Sequence, residues 1–362
     1  MKKTALIALV ALTMSAKADD MDKPQMGTKP DSGMMNVSAH PTIDSHDWFV
    51  FGDVLYWHAD EGGTDWAQRI TNTPNPFVGA NRETKRHNRK VDFDWDWGFR
   101  VGIGYNMVHD EWDTQLYYTW FQTKQEDTVG IDNFAAGFDF VASLNFPDAG
   151  NTDEYLNGEI DWTIHYSVLD WELGRDYNVS KHLALRPHVG IKTGWISQHV
   201  KGHFREDGAG NFRNTFKQEN KFWGVGPSFG TNMHWNFGNY GSHYFGMFGD
   251  IAGALMWGHF DVDYDMDFGV NSSAVHEQEI DNLDRNLMST MIVGAIGLSW
   301  DTNFNDDHCH FCLRVGYELQ YWFRQNQMVM FLEKNDANFG GWTRYSEDLK
   351  FQGATARARF DF

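Results

Sequence analysis

Between Phe93 and Asn106 every odd position is apolar or aromatic: Phe93, Trp95, Trp97, Phe99, Val101, Ile103 and Tyr105. The even positions hold Asp94, Asp96, Gly98, Arg100, Gly102, Gly104 and Asn106. An unbroken period of two over fourteen residues excludes a helix, whose apolar positions recur every three to four residues. The pattern returns where Leu183, Leu185, Pro187, Val189, Ile191 and Trp195 oppose Arg186, His188, Lys192 and Gly194. It returns again where Phe229, Met233 and Trp235 oppose Ser228, Gly230 and His234, and where Phe311 to Phe323 alternates against Cys312, Arg314, Glu318 and Gln320. Two segments fit less well. The run from Ile160 to Tyr177 changes parity near Val168–Leu169, which predicts a bulge, and Tyr244–Phe260 is apolar at both parities and cannot be oriented.

With Trp48–Ala59, Glu111–Gln122, Leu287–Trp300 and Asp348–Phe362 the strands number about ten, in a range of about eight to twelve. The connections alternate in length. Short ones fall near Val108–Asp110, Asn178–His182, Asn236–Gly241 and Asp301–His308, and long ones near Asp60–Asp92, Thr123–Glu159, Lys201–Glu219, Asp261–Asn286 and Gln325–Glu347. That rhythm predicts an all-β, transmembrane antiparallel barrel with short periplasmic turns and long outer loops. A soluble sandwich is the competitor, but its strands run about five or six residues, shorter than these. Mean hydropathy is −0.54, which excludes a bundle of membrane helices but suits strands that alternate. Trp and Tyr at the ends of the apolar runs fit interfacial girdles facing outer-membrane lipid.

The chain starts with Lys2 and Lys3, an apolar run from Thr4 to Met14 and the small-residue box Ala16-Lys17-Ala18. This predicts a secretory signal peptide over residues 1–18, a flexible periplasmic lead-in over 19–47, and the barrel over 48–362. Removing the leader takes the formal net charge from −20 to −23, an acidic balance that argues against nucleic-acid binding. The final strand carries Ala354, Ala356, Ala358, Phe360 and Phe362 on one face. A terminal Phe on such a strand resembles the signal by which bacterial outer-membrane proteins are handed to the barrel-assembly machinery.

Several segments together resemble one family. G-D-V-L-Y-W-H-A-D-E-G at 52–62, W-G-F-R-V-G-I-G-Y-N at 97–106, D-E-W-D-T-Q-L-Y-Y-T-W-F at 110–121, L-D-W-E-L-G-R-D-Y at 169–177, S-K-H-L-A-L-R-P-H-V-G-I-K-T-G-W at 180–195 and F-W-G-V-G-P at 222–227 carry the likeness. They resemble the Legionella major outer-membrane proteins, a family that takes in similar proteins of chlamydia-related bacteria. The resemblance implies a pore-forming protein of a Gram-negative outer membrane. It transfers no catalytic or ligand residues.

If the apolar faces meet lipid, the opposite faces meet the lumen. This places Asp94, Asp96, Arg100, Asp113, Arg186, His188, Lys192, Arg314, Glu318, Arg357 and Arg359 inside. Two uses are open for them. They line a narrow path for small polar solutes, or they pair with one another and leave a closed structural barrel whose loops contact other molecules, as a homo-oligomer or with other envelope proteins. Ten strands lie near the filled end of the barrel series. The acidic groups Asp60, Glu61 and Asp65, and Asp261, Asp263, Asp265 and Asp267, are expected at the outer mouth, favouring cations modestly if the lumen conducts. His308-Cys309-His310-Phe311-Cys312 is the densest set of potential metal ligands, but no second cluster stands at matching spacing. No hydrolase or nucleotide motif occurs, so neither a cofactor nor an enzymatic role is expected. Cys309 and Cys312 stand three residues apart; if they sit in a turn they can bond locally, and otherwise they stay free or bridge to envelope partners.

Overall fold

The computed structural model describes residues 47–74, 82–107, 111–131, 139–143, 155–205, 213–240, 243–270, 274–280, 283–304, 309–331 and 342–362. The expected leader and nearly all of the expected lead-in lie outside these. Ten long strands form the wall: β1 Asp47–Glu61, β2 Trp95–Asn106, β3 Trp112–Gly130, β4 Asn157–Arg175, β5 Leu183–Arg205, β6 Arg213–Tyr240, β7 His243–Val270, β8 Arg285–Phe304, β9 Cys309–Asn326 and β10 Glu347–Asp361. Each pairs antiparallel with the next. β10 then pairs with β1, from Phe49 opposite Asp361 to Glu61 opposite Leu349, and the sheet closes. No free edge remains in the wall, which is how a barrel satisfies its backbone in lipid.

The wall is much taller than a bilayer. β6 and β7 are 28 residues each, about 90 Å of extended chain at ~3.3 Å per residue, whereas a membrane strand needs only ~9–11. The outward side chains mark which part lies in lipid. A band of exposed Ile103, Leu116, Ile191, Phe229, Ile251, Ile296 and Val315 is bounded by two aromatic belts. The lower belt, beside the short turns, includes Trp48 against Tyr105 at 5.2 Å and Trp300 against Phe311 at 5.6 Å. The upper belt includes Tyr56 against Trp97 at 4.6 Å and Trp223 against Trp257 at 5.3 Å.

Above the upper belt the two faces exchange character. On β4 the inward residues are even-numbered throughout: Glu172 and Asp170 below, then Val168, Tyr166, Ile164, Trp162 and Ile160 above, all buried. The burial pattern never breaks step, so the bulge expected near Val168–Leu169 is absent. The parity change in sequence is the upper limit of the lipid band. Below it the outside is apolar and the inside polar. Above it the outside carries Asp161 and His165 while the inside is a hydrophobic core. β7 is oriented the same way, with Phe248, Met256, Phe260, Val262 and Tyr264 buried inside and Ile251, Leu255 and Trp257 exposed outside. Its apolar double face is the overlap of the two regimes.

Much of what reads as outer loop is therefore wall. β5 continues to Arg205 and β6 starts at Arg213, so most of 201–219 is strand. Asp263 and Asp265 are exposed on the outer face of β7, and Glu61 is buried inside the barrel, which corrects the expectation of an acidic mouth. The remaining outer segments cover the top. Asp65–Pro74, Arg82–Lys90 and Asp139–Ser143 form a three-stranded sheet, and Trp66 beneath it donates to Asp127 at 3.1 Å. Near the end of β9 the chain turns inward at Arg324, whose φ is +56°. Residues 325–329, all buried, then cross the mouth, pinned by paired hydrogen bonds between Gln218 and the Val329 backbone (both 2.9 Å) and by Asn220 to the Gln325 carbonyl at 2.8 Å.

Candidate functional site: a polar cavity beneath an aromatic core

Inside the lipid band many of the inner residues are charged, and they pair with one another in networks. Arg100 on β2 sits at the centre of the first. It donates to Asp53 at 2.8 Å, to Glu318 at 2.7 and 3.2 Å, and to the Thr119 hydroxyl at 3.0 Å. Arg357 grips the same Asp53 through two bonds of 2.7 Å, and Gln320 donates to Glu318 at 2.8 Å while accepting from Tyr166 at 2.5 Å. In the second network Arg186 donates to both oxygens of Asp113 (2.7 and 2.5 Å), to Glu172 at 3.2 Å and to Asn232 at 2.7 Å. Tyr117 and Gln115 add bonds of 2.6 Å each to Glu172. Lys192 pairs with Asp170 alongside.

Between these networks lies a cavity of about 180 Å³. Its lining runs from Asn178, Lys181 and His182 at the short-turn end up to Tyr166, Gln320 and Arg100. Over it, Trp57, Phe121, Tyr166, Trp322 and Phe351 are buried against one another, with ring centroids 4.7 to 6.4 Å apart in the packed pairs. The cavity is thus polar, opens downward and is capped by aromatic layers. The inner glycines of β2 serve packing rather than width: a Cβ at Gly104 would come within 2.1 Å of the Phe49 ring, and one at Gly102 within 2.5 Å of Phe51.

Of the residues expected in the lumen, Arg100, Asp113, Arg186, His188, Lys192, Arg314, Glu318, Arg357 and Arg359 all line this cavity. Asp94 and Asp96 do not. Asp94 precedes β2 and is exposed, and Asp96 is half-exposed at the top of a strand that starts only at Trp95. Phe93 likewise leaves the lipid face and packs inside against Trp162. Asp53, Asp170 and Glu172 belong to the networks and were not anticipated. The signal for the last two lay behind the parity change of β4, whose lower half alone has the polar-in pattern.

Cys309 and Cys312 are both free. β9 begins at Cys309, paired with Phe304, and Cys312 is already opposite Asp301. The two thiols therefore point to opposite faces with their Cα atoms ~10 Å apart, too far for a disulfide, which corrects the local-bond reading. Cys312 is buried, opposite Asp301 on the neighbouring strand. A maleimide reagent applied to the folded protein is expected to label Cys309 alone, with Cys312 reacting only after denaturation. Equal labelling of both in the folded barrel, or neither until reduction, would contradict this placement. Among the described residues no group of three or more metal-ligating side chains comes together.

A family model described as the Legionella pneumophila major outer membrane protein precursor matches residues 41–362. No curated protein matches the sequence. Among solved structures, the outer membrane protease OmpT of Escherichia coli aligns over 89% of this chain and 99% of its own at 7% identity and a TM-score of 0.40. The toluene transporter TodX of P. putida aligns over 88% and 90% at 10% identity and a TM-score of 0.27. The family match spans nearly the whole chain and agrees with the closed barrel and its lipid band, so this chain belongs to the Legionella major outer membrane protein family and is a barrel of the Gram-negative outer membrane.

Proposed function

We propose that the barrel is closed at rest and serves as a structural and surface-contact protein of the outer membrane. The observation that carries this is the aromatic core filling its upper interior. Each large apolar side chain withdrawn from water contributes about 1.5–3 kcal/mol. Displacing only four rings would cost ~6 kcal/mol or more, an open population below about one part in 10⁴. A charge-lined constriction costs far less to open, and the core here is several rings deep. The outer sheet supports the contact role: Lys85, Arg86, Arg89 and Lys90 lie exposed on a basic edge strand of a chain with net charge −20. Phe362, exposed beside Trp48, is proposed as the mark read during assembly.

The polar cavity supports a second reading, a narrow pore for small polar solutes that conducts when the 325–329 crossing and the rings below it shift. Planar-bilayer recording of the refolded protein separates the two. Closed barrels are expected to give no stable unit current while showing folded, heat-modifiable migration. A steady unit conductance at low voltage would overturn the closed reading and favour the pore.

A further inference from the structure

Three arginines in the cavity stand where electrostatics alone would not put them. Arg314 on β9 and Arg357 on β10 are direct cross-strand partners on the inner face, and Arg359 is one inward position further along β10. Like charges directly opposite on a sheet repel. Arg357 is balanced by Asp53 and Arg359 by Asp361 at 3.0 Å. Arg314 has no such partner: among the described residues no carboxylate lies within ion-pair distance of it, and its buried Nε makes no hydrogen bond. All three guanidinium groups are nevertheless held, Arg314 over Phe248 at 5.2 Å, Arg357 over Phe51 at 4.5 Å and Arg359 over Phe49 at 3.5 Å from the ring centroids. Arg314, Arg357 and Arg359 all line the cavity that opens at the short-turn end.

A planar donor fork, half-buried with its Nε shut off from water, without an ion-pair partner and facing a space of about 180 Å³, matches a tetrahedral oxyanion better than it matches water. Two bridging oxygens would satisfy Arg314 and neutralise its opposition to Arg357 at once. The acids nearby do not fill this role. Glu318 and Asp53 are committed to Arg100, Asp250 accepts from Asn232 at 2.9 Å, and buried Asp301 attracts Arg314 only from beyond ion-pair distance while lying 3.8 Å from His234. We propose that Arg314, with Arg357 and Arg359, forms a binding site for a phosphate group entering from the periplasmic end, carried by a free solute or by an anionic lipid headgroup. The site is independent of whether the barrel conducts.

The test is titration calorimetry of the full-length refolded protein in a zwitterionic detergent with inorganic phosphate, at ionic strength matched by sodium chloride. Saturable binding at one site per barrel is expected, with a higher melting temperature than in matched chloride. Arg314→Gln is expected to weaken binding about ten-fold or more while melting no lower than the parent without phosphate, because it removes a like-charge opposition. Arg314→Lys keeps the charge without the fork and is expected to bind at an intermediate level, which guards against a variant that misfolds. Competition of bound phosphate by phosphatidylglycerol vesicles, but not phosphatidylcholine vesicles, marks a headgroup as the source. Binding untouched by either vesicle marks a free solute. No heat beyond the chloride control, or undiminished binding by a folded Arg314→Gln protein, would overturn the proposal.

Discussion

Replacing Arg100 by Met is expected to remove ~3–5 kcal/mol of stability, because it breaks buried ion pairs from one side. Arg100 is 6% exposed, and it supplies four hydrogen bonds to three strands other than its own. Removing it leaves the Glu318 carboxylate buried with only Gln320 and Thr355 donating to it. An uncompensated buried charge is the costly outcome, more than the loss of the pair itself. Asp53 is less exposed to this fate because Arg357 still holds both of its oxygens. The double variant Arg100→Met with Glu318→Gln is therefore expected to recover most of the loss. Urea midpoints of the heat-modifiable band, compared across parent, single and double variants, measure both. A single variant within ~1 kcal/mol of the parent would show that the network is solvated.

That network was half legible from sequence. Alternation alone put Arg100, Glu318 and Arg357 on inner faces, because β2, β9 and β10 lie largely within the lipid band where polar means inward. Ion pairing between β1 and β10 could not be read, since closure joins residues 304 positions apart. The upper wall misled for a physical reason. There the surroundings of the outer face change from lipid to water, so Lys217, Glu219 and Lys221 outside and Phe216 and Phe222 inside reverse the code without any change in backbone geometry. A charged stretch such as 201–219 then looks like loop, although its inward Gly202, Phe204, Phe216 and Gln218 keep perfect alternation. The closed interior follows from the same reversal. A reading that treats every apolar residue as lipid-facing must empty the lumen of its core, and so it misses the rings packed in the upper interior.

The outer half of the barrel is also expected to weaken as pH rises, through Glu61. Its carboxyl is 5% exposed at the top of β1, above the upper belt, where Gln198 donates to Oε1 at 2.6 Å and Oε2 has no hydrogen-bond partner. Burial pushes its pKa up from 4.5 to about 8, against the lowering effect of the Gln198 bond and with help from the charge of neighbouring Asp60. The folded protein therefore keeps the Glu61 proton up to about pH 8, whereas the unfolded chain gives it up near the ordinary 4.5. Between those values the unfolded state binds fewer protons, so stability falls with each step in pH and levels off above about 8. The full difference amounts to ~5 kcal/mol at ~1.4 kcal/mol per unit. The local consequence is greatest where Asn326 bonds the Gly62 carbonyl at 2.9 Å, because an ionised Glu61 draws water under the 325–329 crossing. Glu61→Gln keeps an acceptor for Gln198 and cannot ionise. Its unfolding free energy, from urea titration, is expected to match the parent near pH 5 and to exceed it by ~5 kcal/mol at pH 9, with cleavage of the crossing by an added protease suppressed in the same range. Parallel pH profiles for parent and variant would show that water already reaches the carboxyl in the folded barrel.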